Sequence, residues 1–320
     1  MTTRQFAAAL LTAGLVTASS WSHDQSALMA QAAKPAPKAK PASEAKPASK
    51  AKPAAASAWP QRTPDGQPDI QGMWANSETG TFTMSLEPLG HVMSLGGARL
   101  GMMTTSSAGS GLRVRGKRTT PIVDPPEGRL PYQPWAAERR LSVAKNFTRP
   151  EKWQVDTQTL GWPEAVPRTH VYSSADGDIG GPWQVLQGPG YVLFLYETQH
   201  EFRYVPLDGR AQPGSDVKLW MGSSRGHWEG NTLVIETTNI NDSSRLSIIG
   251  DFHSDAMRVT ERFTFVDQNT LEYRATVDDP KVFTRPWTIT LTNTRSTHAP
   301  ELMEYSGVEG EAAVTKWLPQ

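Results

Sequence analysis

A carboxylate sits where a greasy residue belongs. From Met257 to Phe265 the alternate residues are Met257, Val259, Glu261, Phe263 and Phe265, which places Glu261 in an otherwise apolar row. A β-strand sends alternate side chains to opposite faces, so that row is expected to face a core, with Glu261 inside it. The same parity puts Asp279 at the end of the row Leu271, Tyr273, Ala275, Val277, and Arg285 among Phe283, Trp287, Ile289 and Leu291. If the strand beginning at Tyr191 runs on to Tyr204, His200 joins Val192, Phe194 and Tyr196 on an inner face.

A buried charge costs several kcal/mol unless it is paired, so these groups are expected to find one another or a polar ligand. Two readings follow. In one, Glu261 or His200 moves a proton while Arg285 holds developing negative charge, with Asp279 beside them. In the other, Glu261 and Arg285 form a structural ion pair that ties two strands. His253, in the polar loop Asp251-Phe252-His253-Ser254-Asp255, is a further proton-transfer candidate, set against an ordinary surface histidine. Arg203, Arg225 and Trp287 complete the set as substrate-binding candidates. Trp287, like Trp74 and Trp183, has core packing as its alternative to ring stacking.

Other chemistries find little footing. The chain has no cysteine, which removes disulfides, thiolate metal sites and cysteine nucleophiles. His91, His170, His200, His227, His253 and His298 show no short ligand spacing, so no metal is assigned. No phosphate-cradling glycine loop or Gly-x-Ser-x-Gly elbow occurs, and the residues specify no cofactor. Basic and acidic side chains balance at 32 each, which gives no electrostatic reason to expect nucleic acid. The expected partner is a small molecule, either the substrate of an acid–base enzyme (lyase, isomerase or hydrolase) working in a β-barrel cavity or the ligand of a non-catalytic, lipocalin-like binding protein.

The elements that must position these groups are mostly strands. Tyr191–Tyr196, Leu233–Thr238, Met257–Val266, Leu271–Asp279 and Phe283–Thr292 carry aromatic and β-branched residues in period-two alternation. Glu229-Gly230-Asn231 and Asp267-Gln268-Asn269 supply hairpin turns. Consecutive strands with tight turns predict a mainly β domain. The sheet is antiparallel and up-and-down, closed into a lipocalin-like barrel to remove its edges, with a β-sandwich as the alternative. Pro134–Phe147 is the one predicted helix, with proline in its first turn and Trp135, Ala136, Leu141 and Ala144 on one face. Leu89–Lys117, rich in glycine, methionine and serine, reads as a long N-terminal excursion.

Ahead of this domain, Arg4 followed by the apolar run Phe6–Val16 and small residues reads as an export signal over residues 1–32. Residues 33–58 repeat Ala-Lys-Pro at Lys34, Lys40, Lys46 and Lys52, a proline-rich spacer that buries nothing. Such a linker is expected to be solvated, with weak electrostatic contact to an anionic envelope surface as the alternative. The domain then spans 59–320, roughly 260 residues, ample for a core without disulfides. Export predicts a periplasmic or secreted protein.

One stretch, Ser224-Arg225-Gly226-His227-Trp228-Glu229-Gly230-Asn231-Thr232-Leu233-Val234-Ile235-Glu236-Thr237-Thr238-Asn239, resembles the hallmark of a large family of exported bacterial proteins of uncharacterised activity. Pro131-Tyr132-Gln133-Pro134-Trp135-Ala136, Pro206-Leu207-Asp208-Gly209-Arg210, His253-Ser254-Asp255 through Glu261-Arg262-Phe263, and Asp278-Asp279-Pro280-Lys281-Val282-Phe283-Thr284-Arg285-Pro286-Trp287 match as well, in the same order. The resemblance implies export and a β fold, and no particular reaction. The family pattern has a cysteine before a Gly-x-Pro-Arg segment, here Leu160–Arg168, and another in a C-terminal Cys-His-Glu-Gly-Asn, here Gly307–Glu311. By resemblance, this chain has lost one disulfide. Val308 replaces the motif histidine, so if that histidine is catalytic this member is impaired.

Overall fold

A computed structural model describes residues 60–78, 85–88, 91, 94, 118–146, 151–172, 181–296 and 300–304. The chain divides into Met1–Ala54 and Ala55–Gln320, and every described residue belongs to the second unit. The export signal, the linker, nearly all of the Leu89–Lys117 excursion and the Gly307–Glu311 motif lie outside the described residues.

Two antiparallel meanders make the domain. The first is β3 (Trp183–Gly188), β4 (Tyr191–Tyr196) and β5 (Phe202–Pro206). The second is β6 (Ser223–Glu229), β7 (Thr232–Thr238), β8 (Arg258–Phe265), β9 (Thr270–Asp278) and β10 (Trp287–Arg295). An early strand, β1 (Gly72–Asn76), joins them by pairing with β3 on one side and β10 on the other. A short β2 (Ile122–Asp124) pairs farther along β10, and the order is β5-β4-β3-β1-β10-β9-β8-β7-β6. The sheet curls until β5 and β6 face one another, a barrel closed everywhere except at that seam. Glycine permits their approach: a Cβ on Gly226 of β6 would sit 2.8 Å from side-chain carbons of both Val205 and Leu207.

Parity holds through most of the wall. Val192, Phe194 and Tyr196, then Val259, Glu261, Phe263 and Phe265, then Leu271, Tyr273, Ala275 and Val277 are buried, as are Trp287, Ile289 and Leu291. Gly230, at φ +61°, makes the β6–β7 turn that Glu229-Gly230-Asn231 predicts. The interior is filled with rings: Trp74 stacks on Trp183 at 6.3 Å and Phe194 lies 5.3 Å from Phe263.

Two strand readings are corrected. Tyr191–Tyr204 is a hairpin, not one strand, because the chain reverses through Thr198–His200 with Gln199 and His200 at φ +59° and +52°. Phe202 therefore pairs with Leu195 on the outer face and Arg203 with Phe194 on the inner one. His200 is exposed, as are Phe202 (66%) and Tyr204 (45%). Arg285 is also outside. Its strand starts at Trp287, since the chain turns at Asp279–Phe283, where Val282 and Phe283 donate backbone N–H bonds to the Asp279 carbonyl.

The helix α1 (Pro134–Lys145) forms where expected, but Trp135 faces out and its buried face is Ala136, Arg140, Val143 and Ala144. Arg140 is the reason. It donates to Glu87 at 2.9 Å and to Asp251 at 3.0 Å, so the helix docks by an ion cluster as much as by apolar burial. A second helix, α2 (Arg168–Tyr172), carries His170 into the barrel.

Candidate functional site

Glu261 lies inside, with none of its surface exposed. Its partner is Arg203 of β5, not Arg285. Arg203 Nη1 donates to Glu261 Oε1 at 3.0 Å and Nη2 to Oε2, while Tyr273 Oη donates to Oε1 at 3.0 Å. The remaining Arg203 bonds cross the seam: Nε reaches Ser224 Oγ of β6 at 2.8 Å and Nη2 reaches Thr237 Oγ1 of β7 at 2.6 Å. One arginine thus links β5 to β6, β7 and β8 where no backbone ladder does. Every carboxylate oxygen of Glu261 has a donor. This is the arrangement of a strand-tying pair.

His170 sits beside it in a box of five rings, Trp183, Phe194, Tyr196, Phe263 and Tyr273, with centroids 4.6 to 5.9 Å away. Burial, helped by the Arg203 charge, holds its pKa well below the usual histidine value. Its 3.7 Å approach to Glu261 is accordingly a neutral contact and not an ion pair.

The other expected residues scatter. Asp279 is buried away from Glu261, accepting from the Ser254 N–H at 2.6 Å and the Ser254 hydroxyl at 2.7 Å, so it fastens a loop. His253 is buried too, a correction to its surface alternative. Its Nδ1 meets the Ser254 carbonyl at 3.0 Å and its Nε2 meets Ser244 Oγ at 2.7 Å. Ser–His contact of this kind serves nucleophilic catalysis where the hydroxyl is reachable, but Ser244 is fully buried and both ring nitrogens are used by the loop. Trp287 packs edge-on against Phe283 in the core. Arg225 lines the seam, and Arg285 pairs with Asp124 at the surface.

A second group of ionisable residues, which strand parity does not predict, gathers on the segment before α2. Arg168 holds Asp156 with two bonds, Nη1 to Oδ2 at 2.7 Å and Nη2 to Oδ1 at 2.8 Å. Its Nη2 also lies 3.3 Å from Glu164 Oε1, a charge contact without hydrogen-bond geometry. Glu201, just past the β4–β5 turn, accepts the Glu164 backbone N–H at 2.6 Å. Glu164 and Glu201 are both buried, and among the described residues neither Glu164 Oε2 nor Glu201 Oε2 has a hydrogen-bond partner.

Two buried carboxyls, one of which feels the other's charge, cannot both ionise cheaply in a dry setting. Burial, with Asp156 adding repulsion against the pull of Arg168, raises Glu164 to about 7. Burial again, then the neighbouring Glu164, raises Glu201 to about 8. Around neutral pH the pair holds a proton and can either give or take one. The backbone on both sides is in the left-handed region at non-glycine residues, Ala165 at φ +60° before α2, and Gln199 and His200 before Glu201. Local strain of this kind costs of order 1–3 kcal/mol per residue and concentrates where function over-determines the fold.

Sequence reading missed this pair because neither glutamate lies in an alternating row. The available signal was Pro163-Glu164-Ala165-Val166-Pro167, an acid between two prolines in an apolar setting. No family model matches the chain, and neither a curated protein nor a solved structure does.

Proposed function

We propose that this chain is an exported envelope protein that carries out acid–base chemistry on a small molecule, as a lyase, isomerase or hydrolase, with Glu164 and Glu201 as its proton-transfer pair. One observation carries the reading. Glu201 Oε1 accepts the Glu164 backbone N–H at 2.6 Å, while Glu201 Oε2 and both Glu164 oxygens have no hydrogen-bond partner among the described residues. A purely structural carboxylate is expected to have its acceptors filled, as those of Glu261 are. Unfilled acceptors in a buried pair are free to receive a proton or a substrate hydroxyl.

In this reading one carboxyl is the acid and the other the base, near pH 7 to 8 where the pair is singly protonated. Arg168 supports the negative charge that remains. Because both groups are buried, turnover requires a local opening of the segments that cover them. The export signal supports an envelope location.

The test joins spectroscopy to turnover. Infrared difference spectra of the full chain should show protonated carboxyls that titrate between about pH 6 and 9 and vanish in the Glu164→Gln, Glu201→Gln double variant. On a panel of ester, lactone and β-hydroxy-acid substrates, Glu201→Gln should cut kcat about 10²- to 10⁴-fold with the fold intact. Wild-type protein inert on every substrate, or full activity in the double variant, would sink the reading.

A further inference from the structure

The seam left open between β5 and β6 is more than a gap in the wall. It holds a pocket of about 440 Å³, within the range of small-molecule sites. Its floor is Arg203 and Ser224, already bonded to one another. Its sides include Phe202 and Tyr204, two positions apart on the outer face of β5, and Leu219, which is 44% exposed. Aromatic side chains that a fold leaves in water, gathered around a hollow, are the expected lining of a binding site.

The charges that border this pocket are not equivalent. Arg203 is neutralised by Glu261 beneath it. Arg210 is neutralised by Asp208, to which its Nε donates at 2.9 Å. Arg225 is different. Its Nε donates to the Arg210 and Ala211 carbonyls, Nη1 to Ser223 Oγ and the Ser224 carbonyl, and Nη2 to the Ala211 carbonyl at 2.9 Å. These partners fix the guanidinium in place without cancelling its charge. It pairs with no carboxylate among the described residues, and one Nη2 proton has no acceptor among them. A cation held rigid by neutral acceptors beside an aromatic wall is suited to an anionic group carried on a flat apolar body.

From this geometry we infer that the β5–β6 seam is a binding site for an organic anion of the aryl-carboxylate class, its ring against Phe202 and Tyr204 and its carboxylate on Arg225. The site is separate from the Glu164–Glu201 pair and stands whether or not that pair is catalytic. It also gives work to the start of the Ser224-Arg225-Gly226 motif: Ser224 forms floor, Arg225 supplies charge, and Gly226 lets the strands close below.

Isothermal titration of the full chain with 2-naphthoate and with uncharged 2-naphthamide tests this. The acid should bind at least tenfold more tightly than the amide, and 0.5 M salt should erode that difference, since Arg225 is half-exposed. Arg225→Gln should level the two ligands. Because Arg225 also staples the loop before β6, Phe202→Asp is the second variant. Phe202 is exposed, so an aspartate there should leave the melting temperature unchanged and abolish naphthoate binding. Equal affinity for acid and amide, binding that survives Phe202→Asp, or no naphthoate binding by wild type would overturn the assignment.

Discussion

The buried acidic cluster around Glu261 and the one around Arg168 differ in how their acceptors are filled. Around Glu261, two carboxylate oxygens receive three donor groups from Arg203 and Tyr273, and Arg203 uses its remaining bonds on Ser224 and Thr237. Around Arg168, the guanidinium gives two hydrogen bonds to Asp156 and makes a charge contact with Glu164, while Glu201 feels only its field. Equal burial therefore gives opposite chemistry. A filled carboxylate is a strut, and an underfilled pair is a proton store.

The largest expected effect comes from breaking the strut. Arg203→Met strands Glu261 with only Tyr273 as a donor, and removing one partner of a buried pair costs about 3–5 kcal/mol. Urea denaturation should show that loss, and Arg203→Met with Glu261→Met should recover most of it, because two apolar groups leave no buried charge. If Arg203→Met cost less than about 1 kcal/mol, within the range of an exposed pair, the seam would not depend on this arginine.

The proton store should reveal itself through pH. Glu201 has a folded pKa near 8 against an ordinary value of 4.5, so the folded chain keeps a proton that the unfolded chain releases. Its contribution is complete below about pH 4.5 and disappears as pH rises through about 8, at no more than about 1.4 kcal/mol per pH unit for each proton. Glu164 acts in the same direction up to about pH 7. Glu201→Gln mimics the protonated group at every pH. Its Tm should match wild type near pH 4 and exceed it at pH 9. A variant less stable than wild type at pH 9 would show that the Glu201 carboxylate is paired after all.

What the sequence made legible follows from this contrast. Glu261 could be placed because its neighbours two residues away are Val259 and Phe263, and a period of two needs no knowledge of distant contacts. Its partner could not, because that depended on a turn. Glu197-Thr198-Gln199-His200 contains no glycine, proline, asparagine or aspartate, so nothing local marks the reversal that sends Arg203 inward and His200 out. Arg285 failed for the opposite reason: Asp279-Pro280 and Pro286 do mark a break, and continuing the alternation across them carried the residue to the wrong face. The Glu164–Glu201 pair was hidden because it joins the segment before α2 to the start of β5. Only the closed fold creates that neighbourhood.

Arg285 supplies the smallest effect and the sharpest control. It grips Asp124 in the same two-pronged way that Arg203 grips Glu261, Nη1 to Oδ2 at 3.1 Å and Nη2 to Oδ1 at 3.0 Å. The hydrogen bond from Arg285, more than any other influence, pulls the Asp124 pKa down. The side chains are, however, 44% and 49% exposed, so water and salt screen the attraction and compete for each bond. Arg285→Lys should leave Tm unchanged within error at low and high salt, even though lysine cannot reproduce the fork. If it instead destabilised the barrel as much as Arg203→Met, fork geometry and not burial would set the strength of these pairs. The strength of the Arg203–Glu261 strut could then no longer be ascribed to its burial.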